Sequence, residues 1–329
     1  MMLDGDGTAP KRLGELLRGA GLTPRALGAW AGTERLSGLS WRLSELGGRD
    51  PVPAARALAV FVAGIELPAE GVPWPIDELV AAGLLERIED RLRAPVAVLP
   101  LGTSLLVCDR DDADDHPDLV CWPDDSSYHL ASALPAGRRA RWLDLGSGSA
   151  FGALSRPELA TEIHGVDINP RALGYARLGA QLSGIAHLTV AHGDIAAARE
   201  PADLVTCNAP IPGEWDQAVW RTADAGFAGR LWPALRAAVA PGGEAVVHSI
   251  LAMVPGDLDG EVVSVVYSPP GVRPFAVTWW RPDAPSCRVR VRRELTRARP
   301  HLDPRDRDEA LAGTLEPLEH RDDEPRTAR

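Results

Sequence analysis

Lysine is almost absent from this sequence: Lys11 is the only one, and arginine supplies every other permanently basic side chain. Lys and Arg together number 35 against 46 Asp and Glu, so the formal net charge is −11. An acidic chain repels the phosphate backbone of nucleic acids unless a local basic face overrides the charge. We therefore expect no general binding to DNA or RNA.

Cysteine is also scarce. The four residues Cys108, Cys121, Cys207 and Cys287 are far apart, and no two of them form a C-x-x-C pair. This spacing argues against a disulfide framework and against a zinc site. We predict reduced thiols and no bound metal.

The chain has no long hydrophobic run and no secretory start. The longest apolar stretch, around Ala54–Gly64, is about half of the ~20 residues that a membrane span needs. The first residues are acidic and polar, unlike a signal peptide. We expect a cytoplasmic protein with no membrane contact, and a length of 329 residues suits about two domains.

The N-terminal part has the pattern of helices followed by a short hairpin. Ile76–Leu85 predicts a short helix, and Leu85–Val98 can fold back as two strands. This order is typical of a winged-helix-like module. The helix that would read DNA carries Asp77 and Glu78, with Glu86 just after it, and no Arg or Lys. The charge therefore favours a packing or substrate-covering role over DNA recognition.

An acidic stretch, Asp109–Asp118, follows this module. A calcium-binding EF-hand loop needs Gly at its sixth position and Glu at its twelfth. Counted from Asp109, those positions hold Asp114 and Val120. A solvated acidic loop is therefore the better interpretation.

Strand-length and helix-length segments alternate after residue 140, which predicts a parallel sheet with right-handed crossovers. The predicted strands are Arg141–Leu145, Glu162–Ile168, Leu188–Val190, Leu204–Cys207 and Gly243–Ile250. The predicted helices are Pro170–Leu182, the short Asp194–Arg199, and Ala223–Val239. Three later runs without long helices between them predict an antiparallel edge: Val262–Tyr267, Phe275–Trp280 and Arg288–Val291. The charged tail from His301 is expected to be loose.

These patterns predict an α/β protein with four segments. Residues 1–100 form the helical, winged-helix-like domain, and residues 101–136 form an acidic connection. Residues 137–300 form a Rossmann-like domain, and residues 301–329 are the charged tail.

The stretch from Trp142 to Ala150 carries the chemistry, because a buried strand runs into a glycine-rich turn and then a helix. A dinucleotide site needs G-x-G-x-x-G, and Phe151 stands where its third glycine would be. A turn that cradles S-adenosylmethionine (SAM) needs only Gly146 and Gly148, with an acid such as Asp144 before them.

Further polar residues end the next strands. Asp167 is placed to accept the ribose hydroxyls, Ile168 to contact adenine, and Asp194 to accept the adenine amino group, while Asn208 ends the fourth strand. These ends meet at the carboxyl edge of a parallel sheet, where open α/β sheets bind ligands. A carboxylate that caps the next helix is the alternative for each, above all for Asp194.

These motifs resemble class I SAM-dependent methyltransferases over residues 125–250. Asn208-Ala209-Pro210-Ile211 is similar to a degenerate form of the Asn-Pro-Pro-Tyr/Phe motif of the release-factor glutamine and ribosomal RNA amine methyltransferases. The resemblance implies a catalytic role for Asn208 and SAM as cofactor. The cofactor contacts that motif and resemblance together imply are Ser127, Asp144, Gly146, Ser147, Gly148, Asp167, Ile168, Asp194, Ile195 and Asn208.

The departures from the motif bear on the methyl acceptor. Ala209 replaces the first proline and Ile211 replaces the aromatic ring, so a planar acceptor loses a stacking partner worth about 1–3 kcal/mol. We predict transfer to a small molecule or peptide at an amine nitrogen. The candidate acceptor contacts are Tyr128, Pro210, Trp215 and His248.

Two alternatives keep the same fold. One is O- or C-methylation of a secondary metabolite with His248 or Tyr128 as the base, and the other is a protein that binds SAM without transferring its methyl group.

Overall fold

The computed structural model describes residues 8–33, 35–46, 52–114, 116–197, 200–212, 222–223, 226–268 and 273–318. The helices are α1 (Thr8–Gly19), α2 (Pro24–Ala31), α3 (Ser40–Leu46), α4 (Arg56–Phe61), α5 (Ile76–Ala81), α6 (Asp125–Ala133), α7 (Phe151–Ser155), α8 (Pro170–Ser183), α9 (Phe227–Ala238) and α10 (Pro304–Leu311).

The strands of the described part are mostly short before residue 139 and longer after it. They are β1 (Leu67–Pro68), β2 (Glu86–Ile88), β3 (Arg91–Arg93), β4 (Ala97–Leu101), β5 (Ser104–Cys108), β6 (Arg139–Leu145), β7 (Ala160–Asp167), β8 (Leu188–His192), β9 (Ala202–Asn208), β10 (Ile211–Pro212), β11 (Thr222–Ala223), β12 (Val239–Ile250), β13 (Glu261–Tyr267), β14 (Phe275–Arg281), β15 (Cys287–Arg292) and β16 (Glu316–Pro317). The predicted α/β class is confirmed.

The chain divides into two compact units that alternate along the sequence. The first contains residues 1–124, 148–157 and 169–192, and the second contains residues 125–147, 158–168 and 193–329. In the described part of the chain, no helix combines the length and the apolar character needed to cross a membrane.

The first unit contains the N-terminal helices and the predicted hairpin. Strands β2 and β3 pair antiparallel about a turn in which Glu89 has a φ of 54°. They follow α5, as the winged-helix interpretation requires, and that interpretation remains a prediction. Asp77 and Glu78 lie in the first turn of α5, where negative charge stabilises a helix.

Helix α8 of this unit begins and ends on capping residues. The Asn169 side chain accepts hydrogen bonds from the backbone N–H groups of Arg171 and Ala172, and Pro170 takes the first helical position. Gly184 ends the helix with a φ of 70°. The predicted helix, Pro170–Leu182, is therefore one residue shorter than the observed one.

Helices α1 and α8 approach closely at Gly14. A Cβ atom added to Gly14 would lie 1.9 Å from the carbonyl oxygen of Leu182. We expect Gly14→Ala to lower the free energy of unfolding by about 1–3 kcal/mol, because the backbones must move apart. Chemical denaturation measures the change. Gly174→Ala is the matched control. Gly174 lies within α8 with nothing near its added Cβ, so alanine there should be neutral or stabilising. Equal losses of stability in the two variants would contradict the close contact at Gly14.

The second unit is built on one mixed sheet. Eight of its strands are hydrogen-bonded in the order β16-β15-β13-β14-β12-β9-β6-β7. Strands β7, β6, β9 and β12 are parallel, as predicted. Helix α9 packs on this sheet through Leu231, Trp232 and Leu235.

The antiparallel-edge prediction is correct for two of the three late strands. Strand β14 pairs antiparallel with both β12 and β13, but β15 runs parallel to β13. The reason is the strand order. Because β14 lies between β12 and β13, the connection after β14 passes over β13 to its free side, and β15 there runs in the same direction as β13. The arginines of β15 reach backbone carbonyls: Arg288 donates to Pro255 and Leu258, and Arg290 to Val254.

Three other expectations differ from the structure. Residues Asp194–Ala197 form turns rather than the start of a short helix. Helix α9 begins at Phe227 rather than at residue 223. Residues 301–318 of the tail are folded rather than loose: α10 carries a capping box, and its Asp306 is fully buried against Arg293. A paired guanidinium compensates the cost of burying that carboxylate.

The acidic stretch before α6 is not uniformly solvated. Asp109 is buried and accepts hydrogen bonds from the Val120 N–H, the Arg171 guanidinium and the Tyr175 hydroxyl. The expected solvated loop is therefore wrong at Asp109. Its partners on α8 lie more than sixty residues away along the chain, where sequence spacing gives no signal.

Candidate functional site

Three parallel strands of the second unit bring the predicted site residues to one edge of the sheet. Asp144 of β6 lies beside Gly165 of β7 and Thr206 of β9. Leu145, one residue later, lies beside Val166 and Cys207. The chain therefore places Asp167, Gly146 and Asn208 side by side just beyond these pairs, as the motif spacing predicts.

The turn after β6 is held by two backbone hydrogen bonds. The N–H groups of Gly146 and Ser147 both donate to the carbonyl of Val166, at 2.8 and 3.0 Å. Gly146 and Gly148 have φ values of 70° and 54°, a region that residues with a Cβ rarely adopt. The glycines are therefore required by the backbone of the turn.

The hydrogen bonding of the Ser147 side chain is consistent with a ligand bound at this turn. Its Oγ is buried and has no hydrogen-bond partner among the described residues. Buried hydroxyl groups in proteins are almost always hydrogen-bonded. A polar group of a cofactor bound at the turn would supply the missing partner, so the residues present fit the predicted SAM site.

Asp144 lies beneath the turn in a polar chain within the sheet. The Trp142 indole N–H donates to the Thr206 hydroxyl at 2.7 Å, and this hydroxyl donates to Asp144 at 2.6 Å. Burial, opposed by the Thr206 hydrogen bond and assisted by the negative charge of Asp167, raises the pKa of Asp144 to about 7. A cation brought to this edge would favour the ionised carboxylate.

The remaining cofactor candidates surround Asp167. This residue is half-buried, and its carbonyl accepts a hydrogen bond from the Gly193 N–H at 3.0 Å. Ile168 next to it is 41 % exposed, which leaves an apolar face accessible to an adenine ring. Asp194 is exposed and accepts the Ala196 N–H at 2.8 Å, and Ile195 packs against the core. The Asp194 carboxylate therefore stabilises a local turn, and no helix follows directly within residues 194–197 for it to cap.

Asn208, at the end of β9, has hydrogen bonds at both ends of its side-chain amide. Its Nδ2 donates to Ser126 Oγ at 2.8 Å, and its Oδ1 lies 2.9 Å from His248 Nδ1. His248 Nε2 lies 2.7 Å from the Tyr267 hydroxyl. Helix α6 supplies Ser126, and strands β12 and β13 supply the other two, so four elements converge on this amide.

A cluster of rings packs behind His248. His129 stacks parallel to His248, with ring centroids 6.3 Å apart, and lies 4.1 Å from the Tyr267 ring. His301, from the segment before α10, packs edge-on against His129 and stacks on Tyr128 at 5.3 Å. Burial lowers the pKa of His129 to about 4 and that of His248 to about 3.

The residues after Asn208 differ in exposure. Ala209 is buried and donates its N–H to the His248 carbonyl, Pro210 is half-buried, and Ile211 is 44 % exposed. Ser127 and Tyr128 are half-buried on α6. Trp215, predicted as an acceptor contact, lies outside the described residues.

Motif reasoning found Asn208 and His248 but overlooked Ser126 and Tyr267 as partners of the amide. No motif in the sequence singles out Ser126, and Tyr267 ends a strand that the pattern predicts at the sheet edge. A tyrosine at the end of a buried strand could have marked a polar partner, because a buried phenol needs one.

No group of three or more metal-binding side chains is found in the part of the chain that the structure describes.

The buried histidines predict a pH-dependent stability. Below the ordinary pKa of 6.5 the unfolded chain binds a proton at His129, whereas the folded protein does so only near its lowered pKa of about 4. Stability contributed by this residue is therefore lost as the pH falls through that window. In wild type the free energy of unfolding falls as the pH is lowered. We expect His129→Asn to reduce the slope of this fall by at most about 1.4 kcal/mol per pH unit.

Chemical denaturation of both proteins at several pH values measures this difference. Asparagine retains an oxygen that can accept the Leu302 N–H, which His129 Nδ1 accepts at 3.2 Å. The raised pKa of Asp144 has the opposite effect, because it makes the folded protein relatively more stable at low pH. Both proteins keep Asp144, so this effect cancels when their slopes are compared. Identical slopes in the two proteins would contradict a neutral, buried His129.

Comparison with known proteins gives a family match over part of the chain. Residues 121–225 match the family described as Methyltransferase small domain, which is about a third of the sequence. No curated protein with which the sequence was compared matches it significantly. The family match confirms the predicted class of enzyme, a SAM-dependent methyltransferase, and with it the predicted cofactor.

Several solved structures resemble parts of the chain. The YcgJ protein of Bacillus subtilis is 19 % identical, with 38 % of this chain and 50 % of that chain covered and a TM-score of 0.31. The ribosomal protein L11 methylase of Lactobacillus delbrueckii subsp. bulgaricus is 16 % identical, with 47 % and 77 % covered and a TM-score of 0.37. A SAM-dependent methyltransferase of Thiobacillus denitrificans, in complex with S-adenosyl-L-homocysteine, is 22 % identical, with 43 % and 50 % covered and a TM-score of 0.30.

Proposed function

We propose that the protein transfers the methyl group of SAM to an amine nitrogen of a small molecule or peptide. The observation that carries this proposal is the Asn208 amide, which ends a parallel strand at the cofactor edge and is held at both ends by hydrogen bonds. Such an amide can receive the N–H of an amine and hold its lone pair in line with a methyl donor.

In this proposal the residues at the cofactor edge have separate roles. Asp167 would bind the ribose hydroxyls, Asp194 the adenine amino group, and Ser147 a polar group at the glycine-rich turn. Asp144 would add negative charge beneath the turn. The bound cofactor supplies an activated methyl on a positively charged sulfur, whose bond to carbon breaks as the new nitrogen–carbon bond forms.

The state of His248 favours an amine acceptor over a hydroxyl or carbon acceptor. Both of its ring nitrogens have hydrogen-bond partners, and burial keeps its pKa far below neutrality. A residue in this state is a poor general base. An amine attacks through its free lone pair and loses its proton afterwards, so it needs no base at the start.

Exposed Ile211 favours a non-planar acceptor. An isoleucine side chain offers no ring on which a nucleobase or an amide plane can stack, and the acidic charge of the chain opposes RNA or DNA. The branch of the family with Asn-Pro-Pro-Tyr/Phe has a ring in this position. Because Ile211 replaces that ring, we propose that this chain belongs to a degenerate form of that branch.

Radiolabelled SAM tests the proposal directly. The protein is incubated separately with the low-molecular-mass, protein and RNA fractions of a cell extract, and the methylated product is identified by mass and fragmentation. We expect label in the low-molecular-mass or peptide products, on nitrogen. Label only in RNA, label on oxygen or carbon, or SAM binding without transfer to any fraction would each overturn the proposal.

Restoring the ring tests the shape of the acceptor. We expect Ile211→Tyr to lower transfer to the native acceptor by on the order of tenfold, because the ring fills space shaped for a smaller side chain. Ile211→Val is the control, since it keeps the aliphatic character. Steady-state kinetics with the active fraction measures both variants, and a gain of activity on RNA or on a release-factor peptide in Ile211→Tyr would favour a planar acceptor instead.

A further inference from the structure

A continuous hydrogen-bond chain leads from the acceptor side of the proposed site into the protein interior. It runs from Ser126 through Asn208 and His248 to Tyr267, with distances of 2.8, 2.9 and 2.7 Å. His248 is only 2 % exposed and Tyr267 only 5 %. The inner end of the chain is therefore shielded from solvent, whereas Asn208 is half-buried at the edge of the sheet.

The innermost pair, His248 and Tyr267, decides which group donates and which accepts in each of these hydrogen bonds. A phenol is a stronger acid than a neutral imidazole N–H, and an unprotonated imidazole nitrogen is the stronger acceptor. Tyr267 therefore donates to His248 Nε2. A neutral imidazole has one N–H, so the proton of His248 is on Nδ1 and is donated to Asn208 Oδ1.

This arrangement also sets the orientation of the Asn208 amide. With the Nδ1 proton of His248 facing it, the oxygen of the amide must lie towards His248 and the NH₂ group towards Ser126. The opposite tautomer would require the amide to rotate by half a turn, because two N–H groups cannot face each other. The Asn208 oxygen keeps a second lone pair that can accept an N–H from the methyl acceptor.

We propose that His248, held in the Nδ1–H tautomer by Tyr267, is a positioning residue that fixes the orientation of the Asn208 amide for methyl transfer. The inference rests on the proposed function, because it assumes that Asn208 holds the acceptor. Neither His248 nor Tyr267 needs to touch the acceptor for this role.

The ring cluster gives this positioning pair a rigid surround. His129 packs against both the His248 and the Tyr267 rings, and Phe275 stacks on both at 5.5 and 5.9 Å. His129 is itself held by the Leu302 N–H. The segment before α10 therefore contributes to holding His248, which gives this segment a role in the site.

Nitrogen NMR tests the tautomer without any methyl acceptor. Histidine labelled with ¹⁵N is introduced into the whole protein, and the His248 signals are identified by their loss in His248→Asn. We expect a proton on Nδ1 and none on Nε2 at neutral pH in wild type, and a shift towards Nε2–H in Tyr267→Phe. An Nε2–H tautomer in wild type would overturn the inference even if the protein is an active amine methyltransferase.

Kinetics tests whether the orientation matters for transfer. With the active low-molecular-mass fraction of the extract as acceptor source, we expect His248→Leu to lower kcat by about thirtyfold, within the range expected for misplacing a reacting group. His248→Asn keeps an N–H near the Nδ1 position and should recover most of this loss. Calorimetry should show SAM affinity within about threefold of wild type in both variants.

The two variants separate positioning from stability. Both remove the ring and the Tyr267 hydrogen bond, so their melting temperatures should fall by similar amounts. Activity that follows the melting temperature rather than the N–H donor would overturn the inference. Failure of the proposed function looks different: Asn208→Ala would then keep full kcat, while the NMR result would stand unchanged.

Discussion

Replacing Asn208 by alanine is expected to lower kcat by on the order of a hundredfold and to leave SAM affinity within about a factor of three. The amide is bonded to Ser126 and His248 rather than to the residues proposed for the cofactor. Its loss should therefore affect the orientation of the acceptor in the transition state and little else. Steady-state kinetics gives kcat, and calorimetry gives the affinity for SAM.

Ser249→Ala is a matched control for this variant. Ser249 is buried next to His248 on β12, and its Oγ has no hydrogen-bond partner among the described residues. The substitution removes a buried polar atom close to the site without breaking a recorded hydrogen bond, and we expect kcat to change less than about threefold. Full activity in Asn208→Ala would assign catalysis to another residue, with Tyr128 as the next candidate.

The cofactor edge could be predicted from sequence because it depends on local patterns. Alternating strands and helices fix a parallel sheet, and a parallel sheet brings the ends of its strands together. Asp144, Asp167 and Asn208 each lie within one residue of the end of a predicted strand, so their proximity follows from the strand assignments alone. The left-handed turns at Gly146 and Gly148 follow from the same motif.

The surroundings of Asn208 could not be predicted in this way. The contact of His248 with Tyr267 depends on the position of β14 between β12 and β13, and strand order among antiparallel strands has no signal in the hydrophobic pattern. The buried Arg293–Asp306 pair illustrates the same point. Charge composition predicts a loose tail, and only the tertiary fold supplies the partner that allows Asp306 to be buried.

Removing the carboxylate of Asp167 is expected to weaken SAM binding by about 2–3 kcal/mol, or roughly 30- to 150-fold, because two charge-assisted hydrogen bonds to the ribose hydroxyls would be lost. Asp167 is half-buried at the end of β7, and its backbone carbonyl, which accepts the Gly193 N–H, is unchanged by Asp167→Ala. The strand should therefore keep its place in the sheet. Calorimetry on the folded variant measures the affinity.

Glu162→Ala is the matched control for Asp167→Ala, because it removes the same charge from the same strand. Glu162 is exposed near the other end of β7, five residues or about 16 Å away at the usual rise per residue. A general electrostatic attraction between an acidic protein and a cationic cofactor would weaken similarly in both variants, whereas a ribose contact is lost only with Asp167. Equal affinities in wild type and Asp167→Ala would remove the ribose assignment, and tight binding of NAD by the wild-type protein would contradict the SAM site as a whole.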